Sequence, residues 1–325
     1  MPYEVSAARG QFVAEVVANV PLCREHFRLD LLVEGFPATQ PGQFVQLACR
    51  PVGSTDPLDR EVHVFPPLRW EVADTDLLVP TAVLRRPFSL AGRHGVPGGA
   101  ILQVIHRVVG IGTQWLAAVK PGDRVGVLGP LGNTFTLPAD GRVAVLVGGG
   151  VGIPPMLYLA AALRGRRAVA FCGATTRDLL PLTVREHAIE DSGCPSNCIA
   201  EFAEHGILSV ISTDDGTLGS RGFVTQALEV WLDSAGAEIA PRSAVIYTCG
   251  PEAMMKRVAE IAAARGIDCQ VAVERAMACG MGTCQSCCIR VRKPDPAAAP
   301  LPGKDWCYRL ACTDGPIFHG RELLW

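Results

Sequence analysis

The sequence predicts a multidomain protein of mixed α/β and β class: an antiparallel β-barrel, then a parallel α/β domain, then a small cysteine-rich module. Short apolar runs separated by Gly and Pro fill the first part of the chain. Strand-like and helix-like segments then alternate, and six of the 13 cysteines crowd into the last fifty residues. We therefore predict domains at residues 1–138, 139–272 and 273–325.

Composition restricts the class of function. The chain has 325 residues, of which 49% are hydrophobic and 19% charged, so it can build sizeable cores. A formal net charge of -2 and only 6% aromatic residues argue against a nucleic-acid partner or an anionic membrane. No apolar run approaches the length of a membrane span, and the first ten residues lack the apolar stretch of an export signal. We expect a cytoplasmic protein with reduced or metal-bound cysteines.

The first domain is predicted as an antiparallel barrel because short apolar runs alternate with turn residues. A segment rich in Pro, Asp and Arg, residues 51–81, interrupts the pattern and is interpreted as an inserted loop to which we assign no function. The strand-like runs lie at residues 12–17, 27–33, 41–47, 101–108 and 125–128.

A tetrapeptide in this domain, Arg86-Pro87-Phe88-Ser89, closes a strand-like segment. An arginine can hold a pyrophosphate with two hydrogen bonds, an aromatic ring can cover a flat ring system, and a hydroxyl can bond a ring nitrogen. By itself the tetrapeptide is more simply explained as a surface arginine beside a buried phenylalanine.

A second candidate follows the strand at residues 101–108, where Gly112 and Thr113 lead into a helix-like segment. Their amide and hydroxyl could contact a phosphate, but Thr113 serves equally well as an ordinary helix cap. His106, on the preceding strand, is by itself more typical of a hydrogen-bonded structural residue than of a catalytic one.

The second domain is predicted as a parallel α/β sheet because strands and helices alternate along it. The strand-like runs lie at residues 142–147, 168–171, 207–211 and 244–247, and the helix-like runs at residues 156–163, 222–232 and 251–265.

Its first strand ends in a glycine-rich loop, Gly150-x-Gly152-x-x-Pro155, followed by a helix. The free amides of such a loop and the positive end of the helix dipole suit a pyrophosphate. Pro155 stands where the common dinucleotide motif has a third glycine. A tight turn that binds no ligand therefore remains an alternative.

The last parallel strand of this domain ends in Cys249-Gly250-Pro251. Ligands dock at the carboxyl ends of strands in open α/β sheets, so this thiol is a candidate contact for a nicotinamide. The alternative is a thiol that is simply small and buried. After the second strand, Arg177 would favour NADP and Asp178 would favour NAD. The choice between the two coenzymes therefore stays open.

The strongest signal is the spacing Cys279-x4-Cys284-x2-Cys287, with Cys312 further on. This is the plant-type ferredoxin spacing for a [2Fe–2S] cluster, in which three thiolates come from one tight loop and a distant fourth completes the set. Glycines at positions 280 and 282 would let the backbone approach the sulfides. The alternatives are a structural zinc site and free thiols.

Other cysteines compete for individual positions in this set. Cys307 is the more serious rival for the fourth ligand, and Cys288 is the other. We assign no role to Cys194, Cys198, or to Cys288 and Cys307 if they are not ligands.

The order of these motifs resembles the ferredoxin–NADP reductase superfamily over residues 10–272. The cysteine module, with Cys312 followed by Thr-Asp-Gly-Pro, makes the whole similar to the electron-transfer subunits of NAD-dependent (class 1B) dihydroorotate dehydrogenases. The matching segments are Arg-Pro-Phe-Ser at 86–89, Gly-x-Gly-Thr at 110–113, Gly-Pro-Leu-Gly at 129–132, the loop at 148–155 and Cys-Gly-Pro at 249–251.

The resemblance implies an oxidoreductase subunit with FAD, one [2Fe–2S] cluster and a site for NAD. It also implies an FMN-containing dihydroorotate dehydrogenase catalytic subunit as partner, in a heterotetramer with two copies of each subunit. Electrons would pass from the FMN subunit through the cluster and FAD to NAD+, in pyrimidine (UMP) biosynthesis.

Carried over residue by residue, the resemblance places Arg86 at the FAD pyrophosphate and Ser89 near the flavin ring, and favours Cys312 over Cys307. The family has a tyrosine where this chain has His106. The implied catalytic contacts are Ser89 and Cys249, and the metal ligands Cys279, Cys284, Cys287 and Cys312. The implied cofactor-binding residues are Arg86, Pro87, Phe88, Ser89, Ile105, His106, Arg107, Gly112, Thr113, Gly149, Gly150, Gly152, Cys249, Gly250 and Pro251.

Three other functions compete with this one. The nearest is an electron-transfer subunit of a hydrogenase or of a ferredoxin–NADP oxidoreductase, which differs in its partner. A monooxygenase reductase would carry a longer, strand-rich ferredoxin module. A zinc-stapled regulatory protein that binds nucleotide without turnover would be colourless when purified.

Overall fold

A computed structural model describes residues 9–53, 82, 84–189, 193–234, 242–293 and 305–325. Most of the predicted inserted loop, residues 54–81, lies outside the described residues, as does the Pro- and Ala-rich stretch before residue 305. Among the described residues, no helix combines the length and the apolar composition that a membrane span requires.

The first sheet is a curled antiparallel half-barrel, which confirms the predicted class of the first domain. Its strands are β1 (Gly10–Cys23), β2 (His26–Glu34), β3 (Phe44–Ala48), β4 (Arg86–Ser89), β5 (Gly92–Val96), β6 (Gly99–Arg107) and β7 (Arg124–Leu131). They are hydrogen-bonded in the order β4-β3-β7-β1-β2-β6-β5. Helix α1 (Ile111–Ala118) connects β6 to β7.

Alternation of apolar residues explains why this sheet curls around a core. On β2, Leu29, Leu31 and Val33 are fully buried, and on β6 the facing residues Leu102 and Val104 are also buried. Because side chains of a strand alternate between two faces, these residues share the inner face of the sheet. The core of the half-barrel lies against that face.

The second sheet is parallel except for its last strand, which confirms the predicted α/β domain. Its strands are β8 (Val143–Gly149), β9 (Ala168–Ala174), β10 (Leu208–Thr213), β11 (Ser220–Arg221), β12 (Ala244–Cys249), β13 (Asp268–Ala272) and β16 (Ile317–His319), in the order β11-β10-β9-β8-β12-β13-β16. Its helices are α2 (Ile153–Ala162), α3 (Ala200–Ala203), α4 (Val224–Ser234) and α5 (Glu252–Ala264).

Helices cover both faces of this sheet. On β8, Val145 and Val147 pack with α4 and α5, whereas Leu146 packs on the opposite face with α2 and α3. Every residue of β8 is therefore buried, as expected for a central parallel strand. Helix α2 begins at Ile153, three residues before the predicted start, because Pro154 and Pro155 are compatible with a first helical turn.

The C-terminal part forms a two-stranded ribbon of β14 (Cys288–Arg292) and β15 (Trp306–Leu310) and then returns to the second sheet. Strand β16 pairs antiparallel with β13, placing Phe318 beside Val271. This pairing satisfies the backbone groups of an edge strand. The range 273–325, predicted as a separate module, thus contributes a strand to the α/β sheet, and the three-domain division stays a prediction.

The side chain of Asn133 holds the segment that leads into β16. The Asn133 amide donates to the carbonyls of Asp314 (3.0 Å) and Ile317 (2.9 Å), and its oxygen accepts from the Ile317 amide (2.9 Å). Asn133 follows β7 of the half-barrel, so it ties the first sheet to the C-terminal segment.

Candidate functional site

A cavity of about 1400 Å³ lies between the half-barrel and the carboxyl ends of the parallel strands. With the exception of Gly250, every residue predicted to bind a cofactor lines it. These residues are Arg86, Pro87, Phe88, Ser89, Ile105, His106, Arg107, Gly112, Thr113, Gly149, Gly150, Gly152, Cys249 and Pro251. The fold therefore brings together segments that are far apart in the sequence, and their individual roles stay predictions.

The Arg86–Ser89 tetrapeptide is strand β4, which pairs with β3 at the mouth of the half-barrel. All four residues are half-buried and line the cavity. Nη1 of Arg86 donates to the carbonyl of Leu84 (3.2 Å), which leaves other guanidinium N–H groups for a ligand. The strand thus presents a cation, an aromatic ring and a hydroxyl to one cavity.

His106 contributes a buried polar ring to the same wall. Its exposed fraction is 2%, and neither ring nitrogen has a hydrogen-bond partner among the described residues. The ring lies 5.9 Å from that of Phe27 and 6.0 Å from that of Phe88, measured between centroids. Burial, with a smaller effect of neighbouring His26, lowers the pKa of His106 to about 4, so the ring is neutral near pH 7.

Helix α1 begins at the cavity, but the Thr113 hydroxyl is already engaged. It accepts from the backbone amides of Val109 (2.9 Å) and Gly110 (3.1 Å) and donates to the Gly110 carbonyl (3.0 Å). This hydroxyl therefore acts as a helix-capping group, and the predicted phosphate contact at Thr113 stays a prediction. The N-terminal amides of α1 are the groups that this end of the helix offers to an anion.

The glycine-rich loop approaches the Cys249-Gly250 turn closely. A Cβ on Gly152 would lie 2.1 Å from the carbonyl oxygen of Cys249, so only glycine fits. Pro154 and Pro155 have no N–H, so an anion here would be bound by amides of the loop rather than by the first turn of α2.

The Cys249 thiol lines the cavity and is otherwise buried. Burial, reinforced by the charge of Glu274, raises its pKa to about 12. The thiol is therefore protonated near pH 7, which suits a polarisable contact to a ring rather than a nucleophile.

Sequence reasoning missed several residues of the cavity wall. Phe223 precedes α4 and Thr225 lies in its first turn, and Glu274 to Met277 lie between β13 and the cysteine loop. Asp214, after β10, also lines the cavity, whereas Arg177 and Asp178 do not. The residues that do line the cavity all follow carboxyl ends of parallel strands. The rule that ligands dock at these ends could therefore have predicted them.

The four predicted metal ligands fall into two contacting pairs. The amide of Cys284 donates to Sγ of Cys279 (3.4 Å), and the amide of Cys279 donates to Sγ of Cys284 (3.5 Å). Cys312 lies beside Cys287, which contributes to raising the pKa of the Cys312 thiol, and both side chains are almost fully buried. Cys307 lies on β15 opposite Val291.

Electrostatics differ between the pairs. Hydrogen bonds from Ser286, and then from Cys279, lower the pKa of the exposed Cys284 thiol to about 6. Burial, followed by the contact with Cys287, raises the pKa of Cys312 to about 12.

This arrangement fits a binuclear cluster better than one ion. Each iron of a [2Fe–2S] cluster takes two thiolates, which matches two pairs. Gly280 and Gly282 have φ of 70° and 87°, conformations that favour glycine, and the amides of Met281 and Cys284 point at sulfur.

Comparison with known proteins agrees with this geometry. Residues 274–324 match the family model described as the iron–sulfur cluster binding domain of dihydroorotate dehydrogenase B. The dihydroorotate dehydrogenase B (NAD(+)) electron transfer subunit of Desulforamulus reducens is 31% identical over 88% of this chain and 87% of its own length. That of Geobacillus thermodenitrificans is 37% identical over 74% of this chain and 80% of its own.

Solved structures show the same architecture. An NADH-dependent reduced ferredoxin–NADP oxidoreductase is 26% identical, covers 96% of this chain and 90% of its own, and has a TM-score of 0.65. A cytochrome P450 reductase of Amycolatopsis is 25% identical with a TM-score of 0.56, over 81% of this chain and 68% of its own.

Proposed function

Because the chain belongs to the family of dihydroorotate dehydrogenase B (NAD(+)) electron transfer subunits, we propose that it passes electrons from a dihydroorotate-oxidising partner subunit to NAD+. The process served is pyrimidine biosynthesis. The observation that carries the proposal is the set of two cysteine pairs on a fold whose cavity gathers the residues predicted to bind FAD and NAD.

The cofactors supply the redox chemistry: a [2Fe–2S] cluster exchanges single electrons, and FAD exchanges either one electron or a hydride equivalent. The protein binds and orients them. Arg86 and the N-terminus of α1 hold the FAD pyrophosphate, while Phe88, Ser89 and His106 orient its ring system. A neutral, unpartnered His106 can donate one hydrogen bond to that ring system or accept one from it.

The α/β domain binds the nicotinamide coenzyme. The amides of the Gly149–Gly152 loop hold its phosphates, and the protonated Cys249 thiol packs beside its nicotinamide ring. Asp214 is the carboxylate beyond β10 at the same end of the sheet, and it suits ribose hydroxyls better than a phosphate.

Cys279, Cys284, Cys287 and Cys312 hold the cluster. Backbone amides of Met281 and Cys284 donate to Cys279 and stabilise negative charge on its sulfur. Met281 and Cys284 are exposed, so this loop reaches the protein surface, where a partner can exchange electrons with the cluster. We propose an FMN-containing catalytic subunit as that partner, in a heterotetramer of two copies of each.

A second candidate is favoured by the structural likeness to the ferredoxin–NADP oxidoreductase. In that case reduced ferredoxin, rather than dihydroorotate, would supply the electrons. Sequence relatives above 30% identity over most of the chain favour the first function.

The test is reconstitution of the purified protein with the FMN-containing dihydroorotate dehydrogenase subunit of the same organism. We expect bound FAD, two irons per chain, and dihydroorotate-driven reduction of NAD+ that needs both subunits. Reduced ferredoxin serves as the competing donor, and NADP+ as the competing acceptor. Activity with ferredoxin alone would reject the proposal, and the mass of the complex tests the stoichiometry.

A further inference from the structure

Gln46 is a buried amide with nothing to bond. It lies on β3 with no exposed surface, and neither its Nε2 nor its Oε1 has a hydrogen-bond partner among the described residues. Both atoms lack a partner, so the amide is unpaired in either of its two orientations. Buried polar groups are almost always paired, and leaving one unpaired costs about 1–3 kcal/mol. The Gln46 N–H is therefore free to bond a group that lies outside the described residues.

The side chain faces the cysteine loop. Val45 and Leu47, its neighbours on β3, point into the half-barrel core, so Gln46 points out of it. Gln46 is not among the residues that line the large cavity. Its neighbour is Gly280: a Cβ there would lie 2.8 Å from Cδ and Oε1 of Gln46 and 3.0 Å from Nε2.

The candidate acceptor next to Gly280 along the chain is sulfur. Gly280 directly follows Cys279, whose Sγ already accepts from the amides of Met281 and Cys284 (3.4 Å each). Glycine at 280 lets the loop lie against the Gln46 amide without displacing it, and its φ of 70° favours glycine. Hydrogen bonds to the sulfurs of an iron–sulfur cluster help to set its reduction potential.

We propose that Nε2 of Gln46 donates a hydrogen bond to a sulfur of the [2Fe–2S] cluster held by Cys279, and so raises the reduction potential of that cluster. The inference rests on the proposed function, which supplies the cluster. On the same strand pair, Gln46 lies opposite Pro87 of β4, so one short segment touches both the cluster loop and the flavin-binding strand. Gln46 thereby adjusts the cluster against the flavin.

The test is an EPR-monitored redox titration of the holoenzyme. Gln46→Met keeps the length of the side chain but removes the N–H, and we expect the cluster potential to shift to a more negative value, with iron and FAD content unchanged. Gln46→His places a ring N–H at similar reach and should restore the potential toward that of the unmodified protein. Gln103→Met, on β6 away from the cavity and the cysteine loop, is the matched control and should not shift it.

An unchanged cluster potential in Gln46→Met would overturn the inference. A shift in the flavin potential alone would show that the amide faces FAD, and loss of iron in both Gln46→Met and Gln46→His would show a packing role; each outcome rejects the proposed bond. Absence of a [2Fe–2S] signal in the unmodified protein would instead reject the proposed function.

Discussion

Replacement of Gly152 by alanine tests whether the contact between the glycine-rich loop and the Cys249 turn builds the coenzyme site. Gly152 has φ of -85°, which alanine adopts freely, so the substitution adds no backbone strain. The added Cβ would lie 2.1 Å from the Cys249 carbonyl oxygen and 2.4 Å from the Gly250 amide nitrogen. Both neighbours are backbone atoms, which cannot rotate away.

The magnitude follows from that overlap. Ordinary contact begins near 3.4 Å, so loop and turn must separate by about 1.3 Å. Overpacking of this kind typically costs about 1–3 kcal/mol. If the cost falls on the coenzyme-binding conformation, NAD+ affinity should drop about 5- to 150-fold, at about 1.4 kcal/mol per tenfold.

The assay is a titration of the holoenzyme with NAD+, alongside FAD content, iron content and thermal unfolding. We expect weaker NAD+ binding with FAD and iron unchanged, because α1, β4 and the cysteine loop do not depend on this contact. Gly95→Ala is the control: an added Cβ on β5 meets nothing closer than 3.8 Å. NAD+ binding within twofold of the unmodified protein, with no loss of stability, would refute the reasoning.

Three further outcomes are expected. Cys312→Ser should lose most iron and visible cluster absorbance whereas Cys307→Ser keeps both, since Cys312 contacts Cys287 and Cys307 lies on β15; the reverse result would exchange the fourth ligand. Asn133→Ala loses three hydrogen bonds to the C-terminal segment, so the opening free energy of β16 should fall by about 2 kcal/mol and its amides should exchange faster. Unchanged exchange rates at β16 would contradict a role of Asn133 in holding this segment. Burial lowers the pKa of His106 from 6.5 to about 4, so on acidification the unfolded chain binds this proton before the folded one does. The free energy of unfolding should therefore fall by up to about 3 kcal/mol as the pH drops from 6.5 to 4. Urea titrations at each pH should show this slope, and His106→Phe should lack that part of it.

Local patterns predicted much of the fold correctly. Short apolar runs between turn residues located β2 and β6, and the strand–glycine–helix succession located β8 and α2. Each of these signals lies within about ten neighbouring residues, where the period of two or 3.6 is fixed by backbone geometry. Helix starts were predicted less precisely. Pro154 and Pro155 are compatible both with the first turn of α2 and with the loop before it, so the sequence did not fix where α2 begins.

Signals that depend on distant partners were not available from the sequence. Strand β16 is only Ile317–His319 and gains its structure from the exposed edge of β13. Gln46 carried no motif at all.

The sequence by itself determined the cysteine spacing, the glycine-rich turns and the order of barrel, α/β sheet and cysteine module, because these follow from short-range geometry and ligand chemistry. Only the tertiary structure decided that Cys312 meets Cys287, that residues from both sheets share one cavity, and that Gln46 lies against Gly280. Such contacts depend on which sheet faces pack together, and no local pattern along the chain records that choice.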